Sequence, residues 1–320
     1  MRRAHFLVWM CSIGMAALLS AGLVCAQNYH NKPIRITTTE PGGGGDFTAR
    51  LIAQGISAPM GQQVIVDNRS GSVPWEIVAK APPDGYTLMV AGSAFWLAPL
   101  LQKVPYDVEK DFAAITWVSK SPNLLVVTPS VPARSVSELI ALAKAKPGEL
   151  NYATTATGNQ PHIAGELFKS MAGVDIVRIN YRGTAPAINE LISGQVQLLF
   201  AVAPTVAQHV KSGRLRALAV TSLEPSPLAP GLPTVAASGL AGYESLSLLG
   251  VFAPAHTPAP IINRLNREVV RILLTPELKE KFFNTGVEVV ASAVEEFAAK
   301  VKSERVKWGK VIKDAGIRIE

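Results

Sequence analysis

The sequence predicts an α/β fold of two lobes with a ligand cleft between them. From Lys32 onward short β-like runs alternate with amphipathic helical segments, the pattern of helices layered on largely parallel sheets. Two of the runs, 124–128 and 248–253, lead into Pro129 and Pro254, and each stands between one α/β series and the next. They read as crossings between lobes. The chain has 320 residues, 48% of them hydrophobic and 17% charged, which suits one large or two ordinary domains and excludes a disordered polymer.

The first 26 residues stand apart. Arg2 and Arg3 precede an apolar run over 6–24 that closes on Val24-Cys25-Ala26, so residues 1–26 read as a secretory signal peptide cut after Ala26. A membrane anchor is the alternative, because the run approaches the roughly 20 residues that cross a bilayer. A lipoprotein fits less well, since Val24 rather than a small residue precedes Cys25. Cleavage removes Cys11 and Cys25, leaving no thiol for a disulfide, a zinc site or a nucleophile. Export without cysteine points to a bacterial periplasm. The formal charge of +7 falls to +5 when Arg2 and Arg3 go. No block of five like charges occurs, so a nucleic-acid partner is not expected, and the mild excess serves at most to steer anions.

Strands are expected at 34–38, 64–68, 87–91, 124–128, 150–154, 176–181, 196–202, 215–221 and 248–253. Helices are expected at 46–58, 73–81, 135–145, 161–172, 185–193, 204–212, 259–274, 276–284 and 294–315. Ser135 with Glu138 forms a capping box, Pro147-Gly148 stops that helix, and Gly286 and Gly316 follow the last two. Lobe one is then discontinuous, 27–125 with 247–320, and lobe two is the insertion 126–246. The stretch 223–242, rich in Pro, Gly and Ala, returns the chain, and the cleft is where a small ligand sits.

Two strand-turn-helix loops carry the candidate chemistry. Pro41-Gly42-Gly43-Gly44-Gly45-Asp46 either lets backbone N–H groups meet an anion at a helix N-terminus or makes a tight turn with Asp46 as N-cap. It lacks the Lys-Ser/Thr of a phosphate loop and the third glycine of a dinucleotide loop. The second loop, Thr154-Thr155-Ala156-Thr157-Gly158-Asn159-Gln160-Pro161-His162, repeats the situation in the other lobe, with Thr157 as a plain helix cap the competing reading. Bonds from N–H or hydroxyl to a carboxylate are worth about 1.5–3 kcal/mol each, so four to six reach micromolar affinity after desolvation. Arg182, in Asn180-Tyr181-Arg182-Gly183, either grips a carboxylate or is a solvated charge. Phe95 and Trp96 either wall a ligand or pack the core. At the start of its helix His162 is expected to be neutral and able to donate, or else structural.

Catalysis finds little support. His30, His162, His209 and His256 show no metal-binding spacing, and Ser93 in Ala91-Gly92-Ser93-Ala94-Phe95 lacks the second glycine of a nucleophile elbow. No Ser-His-acid set assembles for an ester hydrolase, and no cofactor or metal is expected.

An ordered set of motifs is more distinctive. It comprises Lys32-Pro33-Ile34-Arg35, the 42–46 loop with Ala49-Arg50, Gly61-Gln62-Gln63-Val64, Asn68-Arg69, Pro83-Asp84-Gly85-Tyr86-Thr87-Leu88 and Val104-Pro105-Tyr106-Asp107. It continues through Glu138-Leu139-Ile140, Lys146-Pro147-Gly148, His162, Tyr181-Arg182-Gly183, Leu215-Arg216-Ala217-Leu218-Ala219-Val220-Thr221, Leu232-Pro233-Thr234-Val235 and Ala253-Pro254. Over nearly the whole mature chain this resembles the Bug family, the TctC-type periplasmic solute receptors of tripartite tricarboxylate transporters. The resemblance implies a type II periplasmic binding fold closing like a flytrap on a carboxylate, held through N–H groups and ordered water. It assigns the ligand to 40–46 (Glu40, Gly43, Gly44, Asp46) and 154–162 (Thr155, Thr157, Gly158, His162). The loops at Ser93, Phe95 and Trp96, at Tyr181, Arg182 and Gly183, and at Ala201 would complete the pocket.

The chain departs from the family pattern at four places. Thr39-Glu40-Pro41 replaces an aromatic-bearing first loop, Ala156 stands where many relatives have Gly, Ala201 where many have a carboxylate, and Asn180 where Pro is common. A carboxylate lost at 201 and gained at 40 implies altered ligand polarity. The expected function is a monomeric receptor that presents a small organic anion to transporter membrane subunits, and the alternative is a sensor that signals to a membrane histidine kinase.

Overall fold

The computed structural model describes residues 32–155 and 159–314. The expected signal peptide, Thr157 and Gly158 lie outside the described residues. β1 (Ile34–Thr38) pairs in parallel with β2 (Val64–Asn68) and on its other side with β3 (Thr87–Gly92). α1 (Gly44–Met60) carries the chain from β1 to β2, buries Ile52 and Ile56 completely, and ends on Gly61 in the left-handed region, where a glycine costs nothing. α2 (Val73–Ala79) and α3 (Ser93–Leu101) flank β3.

β4 (Phe112–Val127) is the axis of the molecule. Its first eleven residues pair antiparallel with β9 (Leu246–Pro254), and its last five pair with β7 (Leu198–Val202) and β8 (Arg216–Val220). Only its end, 124–128, is legible as a strand. The remainder is obscured because register shifts at Ala114/Thr116 and Trp117/Ser119 break the two-residue alternation, and because Lys120-Ser121-Pro122-Asn123 reads as a loop. β5 (Asn151–Thr154) lies between β6 (Val177–Asn180) and β7, parallel to both. The order is β2-β1-β3-β9-β4-β7-β5-β6, and β10 (Glu288–Val289) also pairs with β4.

The change of partner along β4 is tied at Thr221. Its hydroxyl accepts from the Asn123 N–H at 2.7 Å and donates to the Ser245 carbonyl at 2.6 Å. The Thr221 N–H donates to the Asn123 carbonyl, and the Ser245 N–H donates to the Thr221 carbonyl. One buried side chain thus joins β4, the exit of β8 and the entry of β9.

α4 (Val136–Ala145), α5 (Gln160–Ala172), α6 (Thr184–Ser193) and α7 (Ala203–Lys211) cover the β5–β8 part, while α8 (Ala259–Leu273), α9 (Pro276–Asn284) and α10 (Val294–Asp314) return to the β1–β3 part. Ser135 caps α4 as expected, but the Glu138 carboxylate reaches back to the Arg134 N–H rather than to that of Ser135. Within α5, Gly165 allows the Tyr152 ring to lie against the helix, since a Cβ there would fall 2.3 Å from it.

The segment expected as a ligand loop at 93–96 is the first turn of α3, and Phe95 and Trp96 are core residues. Both are fully buried, Phe95 against Phe112 and Phe252 at 4.7 and 5.1 Å between ring centroids, and Trp96 against Phe252 and Phe297. Burying such rings stabilises by about 1.5–3 kcal/mol each, which competes directly with leaving them open to a ligand. Ala201 is likewise buried, opposite Leu124 in the apolar cluster beneath α6 and α7.

Candidate functional site

The C-terminal ends of the parallel strands define the site. β1, β3, β6 and β7 each lead into a helix, α1, α3, α6 and α7, whose N-cap is Gly43, Gly92, Gly183 or Val202, and none of these helices has a side-chain cap. A helix N-terminus leaves its first N–H groups without intrahelical partners and carries a partial positive charge. Ligands of open α/β sheets bind outside these strand ends. Register places the two sets near each other. Gly92 at the end of β3 pairs with Leu249, which pairs with Ser119, whereas Val202 at the end of β7 pairs with Asn123. Ser119 and Asn123 are four residues apart, about 13 Å along the strand.

The first loop is built around Asp46. This residue is not the N-cap but the third residue of α1, and its buried carboxylate is fully engaged. It accepts from the Gly42 N–H at 2.9 Å and from the Asn68 amide at 3.0 Å, and it pairs with Arg50 at 2.9 Å. Burial pushes its pKa up, but the bonds from Arg50, Gly42 and Asn68 and the Arg50 charge hold it below the usual carboxylate value. Asp46 therefore shapes the loop and leaves Gly43 and Gly44 exposed. Gly45 must be glycine for a different reason: a Cβ would fall 2.6 Å from the Thr38 hydroxyl, which donates to the Val90 carbonyl. Glu40 is exposed and accepts from the Gly71 N–H at 3.1 Å, and hydrogen bonds from its own N–H and that of Gly71 lower its pKa.

In the second loop Asn159 caps α5 by accepting from the His162 N–H at 3.0 Å, so the capping role falls to Asn159 rather than Thr157. Thr155 is half-buried and accepts from the Asn159 amide. Gln160 donates to the Ser245 hydroxyl and so ties α5 to the Thr221 junction. The His162 side chain is buried, the residue being 3% exposed. Burial first, and then the Arg178 and Lys169 charges against the pull of Glu166, push its pKa down to about 4. The ring is neutral as expected, with burial rather than the helix dipole as the main cause.

The remaining expected residues stand where β3 and β6 lead into α3 and α6. Ser93 accepts from the Leu248 N–H at 3.2 Å, which fixes it to β9. Tyr181 is half-buried beside the α6–α7 cluster, and burial followed by the Glu190 charge raises its pKa. Arg182 is exposed, and Gly183, at φ 114°, turns the chain into α6.

A pocket of about 320 Å³ opens at the first loop, with Gly42, Gly43 and Gly44 on one side and Phe47, Leu249, Phe282 and Val287 among the others. Sequence reading misses these apolar residues. Phe47 directly follows the glycine loop and could have been singled out, but Leu249 and Phe282 arrive from distant β9 and α9 and carry no local signal. Another pocket, of about 200 Å³, involves Phe112 and Phe252 beneath α10 on the other face of the sheet, away from the loops.

The curled α/β sheet is the fold of periplasmic binding proteins. The family model described as "Tripartite tricarboxylate transporter family receptor" matches residues 48–317, and the chain belongs to that family. BugT of Bordetella pertussis is 33% identical over 320 residues, covering 98% of this chain and 97% of that one. A Rhodopseudomonas palustris protein solved with adipate is 35% identical with a TM-score of 0.72, covering 90% of this chain and 98% of that one. MatC from Rhodopseudomonas palustris, solved with bound malate, is 27% identical with a TM-score of 0.69, covering 88% and 99%.

Proposed function

We infer that the chain is a periplasmic receptor that captures a small carboxylate between two lobes and delivers it to the membrane subunits of a tripartite tricarboxylate-type transporter, without catalysis. One observation carries this reading: four helices without side-chain caps begin at strand ends on both sides of the β4 crossing. Such N–H groups suit an anion and offer no nucleophile. The adipate and malate with which two relatives were solved support a carboxylate. Lobe one comprises 27–125 with 247–320 and lobe two comprises 126–246, a division supported by the change of partner after Pro122 and the return at Leu246. Ligand favours the closed form by completing two half-sites.

Residues 1–26 act as the export signal. Protein recovered from a periplasmic extract should begin at Gln27, and an intact N-terminus would refute cleavage. The functional test is native mass spectrometry of the purified protein, followed by thermal shift against mono-, di- and tricarboxylates, amino acids and aromatic acids. A co-purifying acid or a shift of several degrees for one carboxylate group is expected. A chain without bound mass and unmoved by every acid would refute the reading.

A further inference from the structure

The turn between α9 and β10, residues 285–288, faces two ways. On one side Thr285 and Val287 border the pocket that opens at Gly42, Gly43 and Gly44. On the other side the turn meets residues of the 126–246 lobe. The Glu288 carboxylate accepts from the Ser226 hydroxyl, and Ser226 is buried. Gly286 is buried too, and a Cβ there would fall 2.4 Å from the ring of Pro204, the second residue of α7. The turn is seated on β4 at its change of partner. Glu288 lies opposite Lys120 in the ladder and pairs with its ammonium at 3.7 Å, and the Ser121 hydroxyl donates to the Gly286 carbonyl at 2.7 Å. Lys120 and Ser121 themselves pair with β9, so the turn is anchored to lobe one while its outer side touches lobe two.

We propose that residues 285–288 form a strap that holds the two lobes together beside the pocket: the Ser226–Glu288 hydrogen bond latches the closed form, and the Gly286–Pro204 contact sets how near the lobes come. The proposal rests on the two-lobed receptor reading above. A ligand that binds only the closed form has its affinity reduced by the fraction of chains that are open. A latch that raises the closed fraction therefore tightens every ligand by one common factor, whereas a residue that touches the ligand changes the order of preference. Glycine serves at 286 for two reasons, its φ of 76° and the lack of room beside the Pro204 ring. A side chain there would wedge α7 away from the turn.

The test is small-angle scattering of the full chain, free and saturated with succinate, adipate or citrate, together with calorimetric titration of each acid. Ser226→Ala and Glu288→Ala should each raise the radius of gyration and weaken every acid that binds by the same factor, about 2- to 12-fold. The double variant should weaken binding no further than Glu288→Ala does alone. Gly286→Ala should open the cleft as well, and adding Pro204→Ala, which removes the ring atoms a Cβ would meet, should close it again; strain at a left-handed backbone position would not be relieved that way. Parent-like scattering and Kd in both Ser226→Ala and Glu288→Ala would overturn the strap and leave the receptor reading standing. An altered order of preference among the acids would overturn it too, because the two residues would then act on the ligand rather than on closure. If the parent binds none of the acids, the carboxylate reading fails, and the free variants alone decide the strap: a larger radius supports it and an unchanged one overturns it.

Discussion

His162 makes the stability of this protein depend on pH over a narrow range. Its pKa drops from the ordinary 6.5 to about 4 on folding, because the buried ring sits beside the Arg178 and Lys169 charges with only Glu166 opposing them. Well above pH 6.5, from about pH 8, the ring is neutral in both states and contributes nothing to pH dependence. As pH falls from 6.5 toward 4 the unfolded chain takes up a proton that the folded chain refuses, so stability is lost, and below pH 4 the loss is complete. At pH 5.5 about nine-tenths of unfolded chains carry the proton, which amounts to about 1.4 kcal/mol, against about 0.2 kcal/mol at pH 7. Urea unfolding followed by tryptophan fluorescence at both pH values, for the parent and His162→Gln, isolates this contribution from the carboxylates. The parent should lose about 1 kcal/mol more than the variant between pH 7 and 5.5. Equal losses would refute the argument that the ring is held neutral by burial and cationic neighbours.

Three further outcomes are expected. Thr221→Val strands a backbone N–H of β4 and the Ser245 carbonyl and should cost about 2–4 kcal/mol in urea unfolding, whereas Thr221→Ser should stay within about 1 kcal/mol of the parent. Gly45→Ala forces a methyl against the Thr38 hydroxyl and should lower stability by about 1–3 kcal/mol, read as a drop in Tm. Glu40→Gln removes a charge from the mouth of the first loop while keeping an acceptor for the Gly71 N–H, and it should change the order of preference among mono-, di- and tricarboxylates; an unchanged ligand profile would show that Glu40 has no part in selectivity.

Local signals were legible where a strand or helix is complete in itself. The runs at 34–38 and 64–68 and the helix at 276–284 stand where their patterns place them, because alternation and caps act over neighbouring residues. The length of β4 was hidden by two register shifts and a central proline, and β10 is too short to announce itself. The paired loops were visible as strand-turn-helix sequences, since glycine and hydroxyl residues before a helix are a local pattern. The directions of Phe95, Trp96 and His162 were not. Each follows a loop-like motif, yet tertiary burial draws the side chains inward, and for the two aromatic rings partners such as Trp75, Phe252 and Phe297, outside the local motif, decide that.

The continuity of β4 has a practical consequence for dividing the chain. Residues 112–122 and 123–127 belong to one strand but satisfy different partners, so a cut at 125/126 would leave each fragment with a row of unpaired backbone groups. Such edges pair with one another and aggregate. A split-protein reporter should be opened instead within 223–242, where the chain forms no named strand or helix and only Thr234 bridges to Val220. An N-terminal fragment ending there keeps β4 whole with both β7 and β8, but it parts β9 from β3 and from residues 112–122 of β4, so the complement must insert between those two strands to restore the sheet.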